Sequence, residues 1–321
     1  MKKIRLIIPY FGKLPKFFPY FLLTAKRNQK IDFLIYTDQN IDQFEILNAE
    51  NIEFKTLSFD DLRKKVQSKF DFEISLKTPY KLCDYKVAYG FIFEEELKGY
   101  DYWGFCDTDV LLGDIYRFLE EHSFFENDYS RYGLLGHLQI FKNSQEVNHI
   151  FMSGQGLNYR LDFHNIFTSE QNFIFDEADG IQKIFEKNNF KQLQDKFFDD
   201  IDISHFSFRE YGENEPKRYY FWSEENGLES INLIDGNIKV NRPLYAHFQK
   251  RVIKCPEFSL VDSFYVIPNQ LVIGEKISKE ELLEVTRNKF YWAYVKSTML
   301  KKLKKEKWTL EFIRHKLRMK S

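Results

Sequence analysis

At 321 residues, 43% hydrophobic and 18% aromatic with 34 Phe and 19 Tyr, the chain is long enough to bury a full core and too apolar to be disordered. Its three cysteines, Cys83, Cys106 and Cys255, are far apart and odd in number, which excludes a disulfide framework and a Cys-x-x-Cys metal site and fits a reducing compartment. The net charge of -1 divides into +9 over residues 289–321, where eleven Lys/Arg meet two Asp/Glu, and -10 over the rest, so a basic stripe for nucleic acid is absent outside the tail.

Residues 3–8 (KIRLII) form a β-branched run closed by Pro9 and Gly12, which predicts a buried first strand. The same two residues interrupt the run before it reaches signal-peptide length. No run of roughly 18 apolar residues occurs anywhere, so a cytoplasmic chain that does not span a membrane is expected. A helix over 17–27 follows, then strands over 31–36 (IDFLIY) and 52–57, and a helix opened by Ser58 with Asp61 three residues on. Strand, helix, strand, strand, helix is the opening of a parallel α/β sheet. Residues 80–97 have helical length. Residues 102–106 (YWGFC) read as a strand running straight into Asp107, at the carboxyl end where open α/β sheets bind their ligands.

Further on, the pattern predicts a helix over 115–121, a strand over 132–141, a helix over 145–152 and a helix from Asp176 to Asn188. Residues 190–273 break into short aromatic strands, among them 219–222, 231–234 and 245–248, and 278–317 read as two helices. With neither an internal repeat nor a low-complexity linker, the expected division is one catalytic domain over 1–275, with halves 1–114 and 115–275, and a basic helical tail over 276–321.

Asp107-Thr108-Asp109 sets two carboxylates within reach of one Mg²⁺ or Mn²⁺, cations that take oxygen ligands and keep positions for phosphate oxygens. Such triplets also arise by chance among 48 acidic residues, as Asp200-Ile201-Asp202 does here, and then serve as solvated, helix-capping turns. The apolar strand before Asp107 and the run from Val110 to Gly113 after Asp109 separate the first triplet from that background. Lys81, Asp84 and Lys86 precede the motif strand: the cations would offset a diphosphate, and the carboxylate would accept sugar or ribose hydroxyls. They equally fit a polar helix face. The tail over 301–320 interleaves Lys/Arg with Leu303, Trp308, Phe312 and Leu317, a pattern that suits the anionic inner face of a membrane as well as packing on the domain.

In order, IRLIIPYFG, LIYTD, YKLCDYKVAYG and FCDTDVLLGDI resemble the nucleotide- and metal-binding segments of GT-A-fold glycosyltransferases, in particular bacterial enzymes of capsular and surface-polysaccharide assembly, over residues 3–250. The resemblance implies a Rossmann-like α/β domain with a mostly parallel sheet and C-terminal helices. It implies a hexosyltransferase that passes a sugar from a nucleotide-sugar, by default a UDP-sugar, to a hydroxyl of a glycan or lipid-linked oligosaccharide. Carried over, it sets Pro9, Tyr10 and Phe11 against the nucleotide and Thr37 and Asp38 near its base. Asp107 and Thr108 would meet the diphosphate, and Gly136, His137 and Gln139 the donor sugar, although a plain half-buried strand fits the last three as well. His247 would complete the shell of Asp107 and Asp109, favouring Mn²⁺ over Mg²⁺. Lys250 would meet the departing phosphate, but the Gly and Pro-Trp usual beside that lysine are missing here.

Asp176 and Glu177 resemble the acidic segment facing the acceptor, where a carboxylate takes the proton of the attacking hydroxyl. Asp176 with Asp179 three residues on is also a capping-box variant. Two other readings stand beside the transferase. One is a nucleotidyltransferase acting on sugar phosphates, for which PYFGK is a poor triphosphate loop. The other is a non-catalytic carbohydrate-binding partner.

Overall fold

A computed structural model of the protein describes residues 1–203, 205–210, 213 and 217–287. The basic tail expected over 301–320, and all of the helical segment expected beyond residue 287, lie outside the described residues.

The chain folds as an α/β protein. Strands β1 (Ile4–Pro9), β2 (Ile31–Thr37), β3 (Ile52–Thr56) and β4 (Tyr102–Cys106) come first, then β5 (Val110–Leu112), β6 (Arg131–Tyr132), β7 (Leu138–Lys142), β8 (Gln192–Leu193) and β9 (Asp199–Asp200). The remainder are β10 (Lys217–Ser223), β11 (Gly227–Ile234), β12 (Asn237–Asn241), β13 (Tyr245–His247), β14 (Ser263–Ile267) and β15 (Gln270–Ile273). The main sheet runs β3-β2-β1-β4-β7-β6-β8. Its first four strands are parallel; β7 runs antiparallel to both β4 and β6, and β8 parallel to β6. The expected mostly parallel sheet is therefore mixed on one side.

Successive residues of β1 serve different cores, as strand alternation requires: Ile4, Leu6 and Ile8 pack with the helix Phe18–Arg27 on one face, and Ile7 packs with Leu34, Tyr85 and Trp103 on the other. A strand covered on both faces reads as the unbroken apolar run seen in the sequence. A second, antiparallel sheet, β12-β11-β10-β14-β15, gathers the late aromatic strands. Leu282 of the helix Lys279–Val285 packs on it against Tyr219, Phe221 and Ile231. No helix among the described residues is long and apolar enough to cross a membrane.

Three expected elements differ. The helix over 80–97 is a series of short turns: Pro79–Lys81, Leu82–Tyr85, Lys86–Ala88 and Tyr89–Ile92. Lys81, Leu82, Asp84, Tyr85, Val87, Ala88, Tyr89 and Gly90 are all buried, a wider arc than the stripe one straight helix can present inward. The strand over 132–141 is two strands, because the chain turns back between Gly133, at φ +145°, and Gly136. The helix expected from Asp176 starts later, as a π turn at Ala178–Gln182 leading into Lys183–Lys187. Asp176 does not cap it; its carboxylate turns to Lys86 instead.

Candidate functional site

The centre of the site is built by a third, small sheet, β5-β13-β9. β4 delivers the chain to Asp107, whose N–H donates to His137 O at 2.8 Å, and β5 begins one residue after Asp109. Gly104 in β4 permits this close pairing with β7, since a Cβ there would lie 2.2 Å from Gln139 O. β13 pairs antiparallel with β5, His247 opposite Val110, and Phe248 N–H donates to Asp109 O at 3.0 Å. β9 pairs parallel with β13, Asp200 opposite His247. Three segments far apart in sequence therefore meet at one point.

His247 Nδ1 lies 2.8 Å from Asp200 Oδ1, and Nε2 lies 3.4 Å from Asp109 Oδ1. Potential donor atoms of Asp107, Asp109 and His247 all lie within 4.8 Å of one another. Burial would depress the His247 imidazole, but hydrogen bonds to Asp109 and Asp200 outweigh it and push the pKa up to about 9. The His137 ring lies against His247 at a tilt of 37° with centroids 3.6 Å apart, and burial together with the charge of His247 pushes His137 down to about 4. The buried Nδ1 of His137 has no hydrogen-bond partner.

Lys86 Nζ bonds Asp107 Oδ1 at 2.7 Å and Gly136 O at 2.9 Å, and pairs with Asp176 Oδ2 at 3.2 Å. Burial works to raise Asp107, but Lys86 and the two histidines hold it below the ordinary carboxylate value. Asp176 is pushed the other way, up to about 7, by burial first and then by Asp107 and Glu177, with Lys86 opposing. Burial also raises Glu177. Gly136 makes room for this arrangement, since a Cβ there would lie 2.3 Å from Asp176 Oδ2. Its close approach is to a carboxylate of the protein.

These groups share one open cavity of about 1020 Å³, lined also by Pro9, Tyr10, Phe11, Thr108, Gln249 and Lys250. Lys250 is exposed on the lining, its Nζ 4.9 Å from the centre of the Tyr80 ring.

Five residues expected to meet the ligand bond other groups of the protein. Lys81 and Asp84 are 3% and 0% exposed and pair with each other at 2.7 Å; the lysine also donates to Ile166 O and Gln171 O. Breaking the expected helix into turns rotates both under the cavity wall, while Lys86 stays in the cavity. Gln139 is fully buried, accepting from Arg131 Nε at 3.0 Å and donating to Leu135 O and Asp176 O, so it holds the catalytic candidate from behind. Thr37 is buried with its Oγ1 accepting from Gln39 N–H, and Asp38 accepts from Gly12 N–H at 2.9 Å, which fixes the loop after β1. Asp200 is the residue sequence reasoning passed over. It stood as the chance triplet, and its only signal was lying before a strand-like aromatic segment.

No curated protein matches the chain. Among solved structures it is similar to the apo form of the glycosyltransferase GlyE of Streptococcus pneumoniae TIGR4, at 9% identity and TM-score 0.38 over 94% of this chain and 64% of that one. It is also similar to mouse xyloside xylosyltransferase 1, at 10% identity and TM-score 0.34 over 63% and 88% of the two chains. A third is the Mn/GDP form of core-mannan synthase A from Aspergillus fumigatus, at 8% identity and TM-score 0.33 over 58% and 70%. The chain thus spans 64% of the length of GlyE. A family model matches residues 6–275, from β1 through the metal-type cluster to the end of β15, and the chain belongs to that family, described as a family of unknown function, DUF6625.

Proposed function

We propose that this chain is a divalent-cation-dependent glycosyltransferase of GT-A type that moves a sugar, by default a hexose from a UDP-sugar, to a hydroxyl of a glycan or lipid-linked oligosaccharide. The observation that carries the reading is the convergence of Asp107, Asp109 and His247, with the far nitrogen of His247 oriented by Asp200. Ligating histidines characteristically give their second ring nitrogen to a carboxylate in this way. Two carboxylates and an imidazole suit Mn²⁺, and Mg²⁺ less well. Bound there, the ion would neutralise the diphosphate and act as Lewis acid on the leaving nucleotide.

The remaining chemistry falls to the protein. Lys86 holds Asp107 and Asp176 in fixed relation. Asp176, poised near neutrality, accepts the proton of the acceptor hydroxyl as its oxygen bonds the anomeric carbon and the bond to the diphosphate breaks. Glu177, on the same wall, holds an acceptor hydroxyl. Lys250 meets the departing phosphate, while Pro9, Tyr10 and Phe11 wall the nucleotide and His137 faces the donor sugar. A cavity of about 1020 Å³ is at the upper end for a single small ligand and has room for two substrates. A cytoplasmic enzyme working against the inner face of the membrane through residues 301–320 completes the reading.

A thermal-shift and hydrolysis screen of UDP-, GDP-, CDP- and dTDP-sugars against free nucleoside triphosphates, with and without Mn²⁺, tests it. Mn²⁺-dependent stabilisation and slow hydrolysis of one nucleotide-sugar is the expected result. Preference for a triphosphate would make the chain a nucleotidyltransferase, and no Mn²⁺-dependent nucleotide binding would make it a non-catalytic partner.

A further inference from the structure

Three apolar side chains stand exposed on the cavity lining: Tyr80 at 61%, Ile174 at 54% and Val252 at 75%. Single exposed apolar residues are ordinary on a protein surface, but these come from three separate segments and line one concave site. The donor machinery described above is charged and lies around Asp107, Lys86 and His247; it reaches Tyr80 through Lys250, 4.9 Å from the ring centre, and does not account for Ile174 and Val252.

Ile174 is held there against its own preference. It is β-branched yet has φ +57°, in the left-handed region that such residues avoid. Asp84, fully buried, explains how: its carboxylate accepts from the N–H of Phe173 at 3.0 Å and of Phe175 at 3.1 Å, the two neighbours of Ile174. Lys81, paired with Asp84, fixes Gln171 O just upstream. The Phe175 ring is buried and Phe173 packs against the same core. With both flanks anchored inward, Ile174 is turned out, two residues before Asp176. Strain maintained by a dedicated buried ion pair, at the lip of a reactive site, is the kind of feature that persists where a side chain must be presented.

We propose that Tyr80, Ile174 and Val252 form the acceptor subsite and receive the apolar face of a pyranose ring whose hydroxyl points to Asp176. This rests on the transferase reading. A sugar ring fits better than a lipid chain because the large hydrophobic side chains exposed on the lining, among the described residues, are these three alone, and Asn172, Glu177 and Gln249, groups that bond ring hydroxyls, share the lining with them. An aromatic ring and a branched aliphatic side chain match the C–H face of the sugar, and the polar groups match its edge.

The test compares wild type with Ile174→Ser and Val252→Ser, both exposed positions whose substitution spares the core. Each is loaded with Mn²⁺ and the nucleotide-sugar that the wild type hydrolyses, with p-nitrophenyl and methyl glucopyranosides, galactopyranosides and mannopyranosides as acceptor probes. The acceptor KM is expected to rise roughly tenfold, the scale of losing one or two apolar contacts in a binding pocket, and the ratio of transfer to donor hydrolysis to fall with it. An unchanged acceptor KM and an unchanged ratio would overturn the subsite. Loss of transfer and hydrolysis in equal proportion would assign these side chains to the donor and overturn it too. Failure of the wild type to hydrolyse any nucleotide-sugar would strike the transferase reading itself, and the subsite with it.

Discussion

His247 and Asp200 face each other across two parallel strands, Nδ1 2.8 Å from Oδ1, so the imidazole can turn only its Nε2 toward Asp109. The carboxylate sets the tautomer and ring angle of its neighbour. Asp200→Asn should therefore weaken Mn²⁺ binding roughly 10- to 100-fold without removing a ligand. Titration calorimetry of Mn²⁺ into the purified chain reads this directly, with Asp109→Ala, expected to lose binding and turnover, as the reference. Wild-type affinity in Asp200→Asn would remove the orienting role.

Ion and proton compete for the same nitrogen. In the metal-free protein His247 titrates at about 9 instead of its ordinary 6.5, so at neutral pH an arriving cation must displace a proton. Mn²⁺ affinity should climb with pH toward 9, with close to one proton released per ion bound. The folding linkage has the same window. A raised histidine pKa contributes stability that is complete below 6.5 and is lost as pH rises through 9. The urea midpoint of the metal-free chain should fall across that range, and His247→Gln should flatten the slope.

Gly136→Ala introduces a methyl 2.3 Å from Asp176 Oδ2, and the carboxylate has to move. A displacement near 1 Å at a reacting group lowers turnover by about 100-fold, so kcat should fall on that scale while Mn²⁺ still binds. Full kcat in this variant would take Asp176 out of the chemistry.

Asp84→Ala leaves the Lys81 ammonium buried without its counter-charge and two backbone N–H groups without their acceptor. A loss of about 3–5 kcal/mol is expected from equilibrium urea unfolding. A loss below about 1 kcal/mol, the value of a surface pair, would contradict the burial of this pair.

Strands β1, β2 and β4 are legible because they are largely buried on both faces and appear as continuous apolar runs. Asp107 and Asp109 were legible for the same local reason: YWGFC runs straight into them. Lys81 and Asp84 were recognised as a cation and a carboxylate near the site, but their direction depended on a helix that breaks into turns under tertiary packing. Nothing near Asp200 announces its partner. Its place is decided by a two-residue strand pairing with β13, too short to carry a period and set by contacts 47 residues away. Gly136 is expected against the donor sugar, and only the folded chain reveals that the group nearest a Cβ there is the Asp176 carboxylate.

The pairing of β5 with β13 also sets a schedule. Asp109 and His247 are separated by 138 positions, so at about 5–20 residues per second the ribosome releases the histidine roughly 7 to 30 s after the aspartate. Until then Val110–Leu112 is an open strand edge and the two carboxylates have no imidazole to complete them. A nascent chain that ends before residue 245 therefore has every strand of the main sheet but not the cluster of Asp107, Asp109 and His247, and would be an adhesive fragment.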